Sequence, residues 1–155
     1  MSTTPEPPAR LVDGVRGERD AHGYLVTHVV YRTAEGTPIL KLVDTAAAVA
    51  CMAERRCQSC GFPIDATELL GFIGAPGERV YKEAPIHLDC AHYSFQVCPH
   101  LLSHLESADI EIAVCREYRY LGVDSGQGSS RRGIPRCLPC ALESGTARRA
   151  SRMVR

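Results

Sequence analysis

The chain has 155 residues, 45% hydrophobic and 23% charged, with a formal net charge of zero. That is the balance of a globular protein with one modest core, and it excludes a fibrous or wholly disordered chain. No apolar run approaches the ~20 residues that a bilayer span needs, and MSTTPEPPAR lacks the basic-then-apolar pattern of a secretory signal, so a cytoplasmic location without a membrane partner is expected.

Residues 1–20 carry Pro5, Pro7 and Pro8 and then mixed charge without a period, and are expected to be disordered. An α+β domain is expected over 21–121. It opens with YLVTHVVYR (24–32), rich in β-branched and aromatic residues, then the turn AEGTP and the strand ILKLV (39–43), which together read as a hairpin. Asp44 or Thr45 then caps AAAVACMAERR (46–56), a run of good helix formers that delivers the chain to Cys57. Apolar residues at 69–73, the turn GAPG (74–77) and the alternating ERVYKEA (78–84) predict a second hairpin. Pro85 suits the first turn of a helix, and IHLDCAHYSFQV (86–97) has helical spacing. HLLSHLES (100–107) reads as a short second helix, IEIAVCREYRY (110–120) as a strand and DSGQGSSRRG (124–133) as a flexible loop. Residues 122–155 are expected to form a flexible C-terminal segment. Its last part, 131–155, holds seven arginines against one acid, Glu143. Such a stretch contacts nucleic acid or an acidic surface, or is simply a solvated tail.

Eight cysteines in a cytosolic protein point to metal binding and burial rather than disulfides. Cys57 and Cys60 have C-x2-C spacing with Gly61 next, the pattern of a knuckle whose backbone N–H groups face the sulfurs and whose last residue takes positive φ. His87 and Cys90, three apart, share a face of the first turn of the predicted helix, where the helix N-terminus favours thiolate. Knuckle, hairpin and helix in this order make a treble-clef arrangement. Cys57, Cys60, His87 and Cys90 form a Cys3His set suited to tetrahedral zinc. With four protein ligands such a zinc has no open position for water, so it holds structure. A thioredoxin-like redox pair would open a helix at once, and Gly61 and Pro63 stop one.

Cys137 and Cys140 form a second C-x2-C that would complete another zinc site with Cys98, Cys115, His100 or His104. Chance spacing produced by the flanking prolines is the alternative. Cys51 falls in an apolar helical stretch and belongs to the core, and Cys98, beside Pro99 at a helix end, packs likewise. HLE (104–106) followed by PRCLPC (135–140) is superficially the H-x-E…P-C-x-x-C pattern of zinc deaminases. The proline stands one residue too early, and a strand-like segment follows the first motif where a helix is needed. An HNH nuclease would need a catalytic histidine on the hairpin at 69–84, which contains none.

Over residues 22–105 the chain resembles a group of short uncharacterised proteins of actinobacteria and their phages, whose pattern is a hairpin, a helix, CxxCG, a strand ending in a Gly-rich turn, and EPPxHxxCA followed by CPFL. The matching segments here are CQSCG (57–61), FIGAPGERVYKEAPIHLDCA (72–91) and VCPHLL (97–102). Cys57, Cys60, His87, Cys90, Cys98 and Pro99 match position by position, while Ala84 and His100 depart. The resemblance implies a small zinc-binding domain and no established activity. Sixteen arginines against two lysines fit a GC-rich genome. The expected function is a module that binds protein or nucleic acid around a structural zinc. A zinc-dependent enzyme, deaminase-like or HNH-type, is the alternative.

Overall fold

A computed structural model describes residues 17–21, 25–98, 101, 110–124, 134–140 and 148–149. The fold is mixed α+β, with small antiparallel sheets and, among the described residues, two helices. The early hairpin is present. β1 (Val30–Arg32) and β2 (Pro38–Val43) pair across a turn in which the Thr33 N–H donates to the Thr37 carbonyl at 3.0 Å and Gly36 sits at φ 85°. The register slips between Val30 and Tyr31, and Leu40, Leu42 and Val43 of β2 are exposed.

Asp44 caps α1 (Thr45–Glu54), its carboxylate accepting from the N–H groups of Ala46 and Ala47 at 2.9 and 3.2 Å. Ala48, Cys51 and Met52 face the core. The helix stops at Arg55, which takes the left-handed conformation and returns its N–H to the Cys51 carbonyl.

β3 (Leu70–Gly74) is held along one edge by β5 (Glu111–Cys115), from Leu70 opposite Cys115 to Gly74 opposite Glu111, and along the other by β4 (Ile86–His87). The sheet order is β4-β3-β5-β8, where β8 is Arg148–Arg149. The hairpin expected at 69–84 therefore has a different return arm. Residues 78–84 form turns and a single bridge from Tyr81 to Cys137, and the arm is Ile86–His87. β5 offers four consecutive buried residues, Ile112 to Cys115, whereas 78–84 interleaves Glu78, Arg79, Lys82 and Glu83 with its apolar positions. The apolar strand wins the edge of β3 that both could use.

The helix expected from residue 86 begins two residues later, as α2 (Leu88–Val97), because Ile86 and His87 are engaged in the sheet. It buries Cys90, Ala91, Tyr93, Phe95 and Val97. The strand expected over 110–120 is two strands, broken at Arg116. β5 joins the larger sheet, and β6 (Glu117–Asp124) pairs with β7 (Ile134–Cys140). Residues 134–140, expected within a flexible segment, thus form a paired strand with Cys137 in the core. Phe72 links the layers: its ring stacks on Tyr81 at 5.4 Å and meets the edge of Tyr118 at 5.2 Å. Apart from Leu101, the helix expected at 100–107 lies outside the described residues, as do residues 1–16, most of the arginine-rich stretch and all of the loop expected at 124–133 except Asp124, which ends β6. Among the described residues no helix is long and apolar enough to cross a membrane.

Candidate metal centre

The C-x2-C turn is built by its backbone. The Gly61 N–H donates to the Cys57 carbonyl at 2.8 Å, and the Cys57 N–H donates to the Phe62 carbonyl at 3.0 Å. Gly61 has φ 75°, and a Cβ there would lie 2.5 Å from His28 Nδ1. Both facts favour glycine. The turn is fastened on two sides. The Gln58 N–H reaches the Pro85 carbonyl at 2.9 Å, while the N–H groups of His28 and Val29 donate to the carbonyls of Ser59 and Gln58. The first bond brings the turn to the residues that precede β4, where the other ligand pair begins.

Cys57, Cys60, His87 and Cys90 converge there, each offering one ligand atom, all within 4.8 Å of one another. His87 Nδ1 is 3.3 Å from Cys60 Sγ and 4.0 Å from Cys90 Sγ. The His87 N–H donates to Cys57 Sγ at 3.4 Å. A tetrahedral zinc, with Zn–S about 2.3 Å and Zn–N about 2.0 Å, needs its donors roughly 3.5–3.8 Å apart. The cluster fits that requirement with little rearrangement. His87 is the residue before α2 rather than part of its first turn. Its backbone is non-helical, with φ −58° and ψ 143°, and its imidazole faces the sulfurs and makes no cap bond to the helix. Cys90 follows on the first helical turn, as the spacing predicts. Cys57 and Cys90 are buried, while Cys60 and His87 are half-buried at the rim. A cleft of about 310 Å³ opens over that rim, walled by Phe62, Glu68 and Asp89.

Without an ion the donors contest protons. Hydrogen bonds from Cys57 and Cys90 hold the Cys60 thiol far below its ordinary range. The same neighbours act oppositely on Cys90, which hydrogen bonds with Cys57 and Cys60, followed by burial, push far up. Hydrogen bonds with Cys57 and Cys60 raise His87 to about 10. Anionic sulfur beside a cationic ring is the charge pattern that a bound dication replaces, with release of protons.

The four residues that the spacing singles out are the ones that come together, whereas sequence reasoning misses the ones around them. The Arg55 guanidinium donates to the carbonyls of Ile64, Asp65 and Glu68 at 3.0, 3.1 and 3.2 Å, fixing the loop beside the site. Within that loop Glu68 Oε2 accepts from the Asp65 N–H at 3.0 Å and lies 3.9 Å from His87 Nε2. The signal available was D-x-x-E at 65–68, a pattern akin to a helix capping box.

The second C-x2-C does not form a knuckle. Cys137 and Cys140 lie in β7, and an odd offset along a strand turns their side chains to opposite faces. Cys98 closes α2 and is half-buried, while Cys115 and Cys137 are fully buried in the core. Among the described residues the Cys57 group is the one set of three or more such donors that converges. Cys51 is fully buried, as its apolar helical position implies. His104 and Glu106 lie outside the described residues. No family model, no curated protein and no solved structure matches the chain, so its function is read from the site itself.

Proposed function

We propose that the chain is a small zinc-binding module. Its Cys3His group holds one structural zinc in a treble-clef-like frame, and it acts by binding protein or nucleic acid rather than by catalysis. The observation that carries this reading is the convergence of four protein donors from a rigid turn and a helix start. Four donors of this chemistry satisfy zinc completely and leave no position for a reacting water. Soft thiolates with one imidazole favour zinc over magnesium or calcium. Metal-ligating thiols need reducing surroundings, so the cytoplasmic location belongs to the same proposal.

A protein partner is supported by the β1–β2 hairpin, where Tyr31, Leu40, Leu42 and Val43 stand exposed. An apolar cavity of about 400 Å³ continues from Val43 to Ile73, Ile86 and Ile110. A nucleic-acid partner is supported by the arginine-rich stretch 131–155, and its binding would weaken steeply with salt and vanish when that stretch is deleted. Metal analysis of the purified chain tests the core of the proposal. One zinc per chain is expected, lost in Cys57→Ser and Cys90→Ser and kept in Cys137→Ser. Absence of zinc, or a second equivalent lost with Cys137, would overturn it.

A further inference from the structure

The four donors do not by themselves hold the imidazole in the tautomer that binds an ion. His87 can bind an ion through Nδ1 only if its remaining proton sits on Nε2, and a neutral imidazole in water does not favour that form strongly. We infer that Glu68 is a positioning residue for the metal site, accepting the Nε2 proton of His87 and so presenting Nδ1 to the ion. This rests on the reading of the Cys3His group as a metal site.

Three observations carry it. First, the ring is already oriented. Nδ1 faces Cys60 Sγ and Cys90 Sγ, and Nε2 points the other way, with Glu68 Oε2 3.9 Å off. That separation is too long for a hydrogen bond and too short for a water between, so the inferred role requires the pair to close into direct contact. An ion on Nδ1 withdraws charge from the ring and makes Nε2–H a stronger donor, which favours closing. Second, the carboxylate is preset. The same Oε2 accepts from the Asp65 N–H, and Asp65 Oδ1 accepts in turn from the N–H and hydroxyl of Thr67. Glu68 therefore does not have to be gathered from a freely rotating surface chain. Third, the loop is clamped. Arg55, released from α1 by its left-handed conformation, binds three of the loop's carbonyls, including that of Glu68. Hydrogen bonds thus run from the helix end through the loop as far as Glu68, whose carboxylate stands 3.9 Å from His87. Carboxylate partners of metal-bound imidazoles fix tautomer and raise ligand basicity, and their loss typically weakens metal binding 10–100-fold.

The test is zinc affinity of the full chain, measured by competition with a chromogenic chelator. Glu68→Ala is expected to bind zinc at least 10-fold more weakly than wild type, by the same precedent. Glu68→Gln keeps an oxygen acceptor and is expected to fall nearer wild type. Asp65→Ala loosens the loop but leaves the carboxylate, so its loss should be smaller than that of Glu68→Ala. Equal losses in these two variants would reduce Glu68 to a loop-holding residue and overturn the inference. A second readout is direct. In the zinc-loaded protein, long-range proton–nitrogen correlation spectra should show His87 with Nδ1 ligated and a protected Nε2 proton. In Glu68→Gln that proton's shift should move and its exchange with water quicken, while other histidines stay unchanged. An unchanged Nε2 proton, or Glu68→Ala affinity within twofold of wild type, overturns the role of Glu68 and leaves the zinc site standing. A wild-type chain that binds no zinc would remove both.

Discussion

Gly61 meets a dihedral constraint and a contact constraint at once. Its φ of 75° costs an L-residue about 1–2 kcal/mol, and the added Cβ would press on the His28 ring at 2.5 Å. His28 is exposed, so its ring can swing away at little cost, whereas the dihedral is locked by the bonds from Gly61 to Cys57 and from Cys57 to Phe62. The dihedral therefore dominates. Gly61→Ala is expected to destabilise the zinc-loaded protein by about 1–2 kcal/mol in a denaturant titration. Adding His28→Ala should recover only a minor part. Recovery of most of the loss would show that the ring contact, and not the backbone, is what the glycine serves.

At the scale of elements, α1 is the part most open to reading from sequence. Its start is marked by a side chain that bonds two orphan N–H groups, and Asp44→Ala is expected to cost about 1 kcal/mol in thermal or chemical unfolding. A cost near zero would mean that Ala46 and Ala47 find equivalent acceptors in water. The early hairpin and the four donors are equally legible, because turn chemistry and ligand spacing are local properties. β3's partners are not. A strand's neighbour is decided by which distant segment is apolar enough to bury against it, and residues 110–115 outcompete the adjacent 78–84 from some forty positions away. The second C-x2-C misleads for a related reason. Its spacing is that of a ligand pair, but pairing with β6 and the bridge to Tyr81 stretch it into a strand where the two thiols diverge. Glu68 escapes notice because a carboxylate 19 residues from a histidine has no sequence relation to it until β3 and β4 pair and Arg55 clamps the loop.

The whole molecule joins two kinds of cysteine, and alkaline pH separates them. On the proposed zinc reading the folded donors carry no thiol protons while the unfolded thiols do, so the metal site's share of stability rises with pH and levels off once the unfolded thiols ionise, at about pH 9. Cys115 and Cys137 are fully buried, and desolvation pushes them up to about 11 and about 12 from an ordinary 9.0. Cys51, desolvated beside the metal-site turn, moves the same way, to about 11. Their folded-state values lie above the unfolded ones, so the unfolded chain releases these protons first. The stability they confer is complete below about pH 9 and is lost as the pH climbs toward 11–12. Within that window each such thiol steepens the decline by about 1.4 kcal/mol per pH unit. Unfolding free energy, measured at fixed free zinc between pH 8 and 10.5, should rise toward about pH 9, as the unfolded ligand thiols lose their protons, and then turn downward as the buried thiols' share is lost. Cys137→Ala loses some packing at every pH, but its slope above pH 9 should be shallower than wild type by about one group's share. A parallel slope would mean that the Cys137 thiol is open to solvent, and that β7 is not seated against Tyr81 as the bridge between them requires.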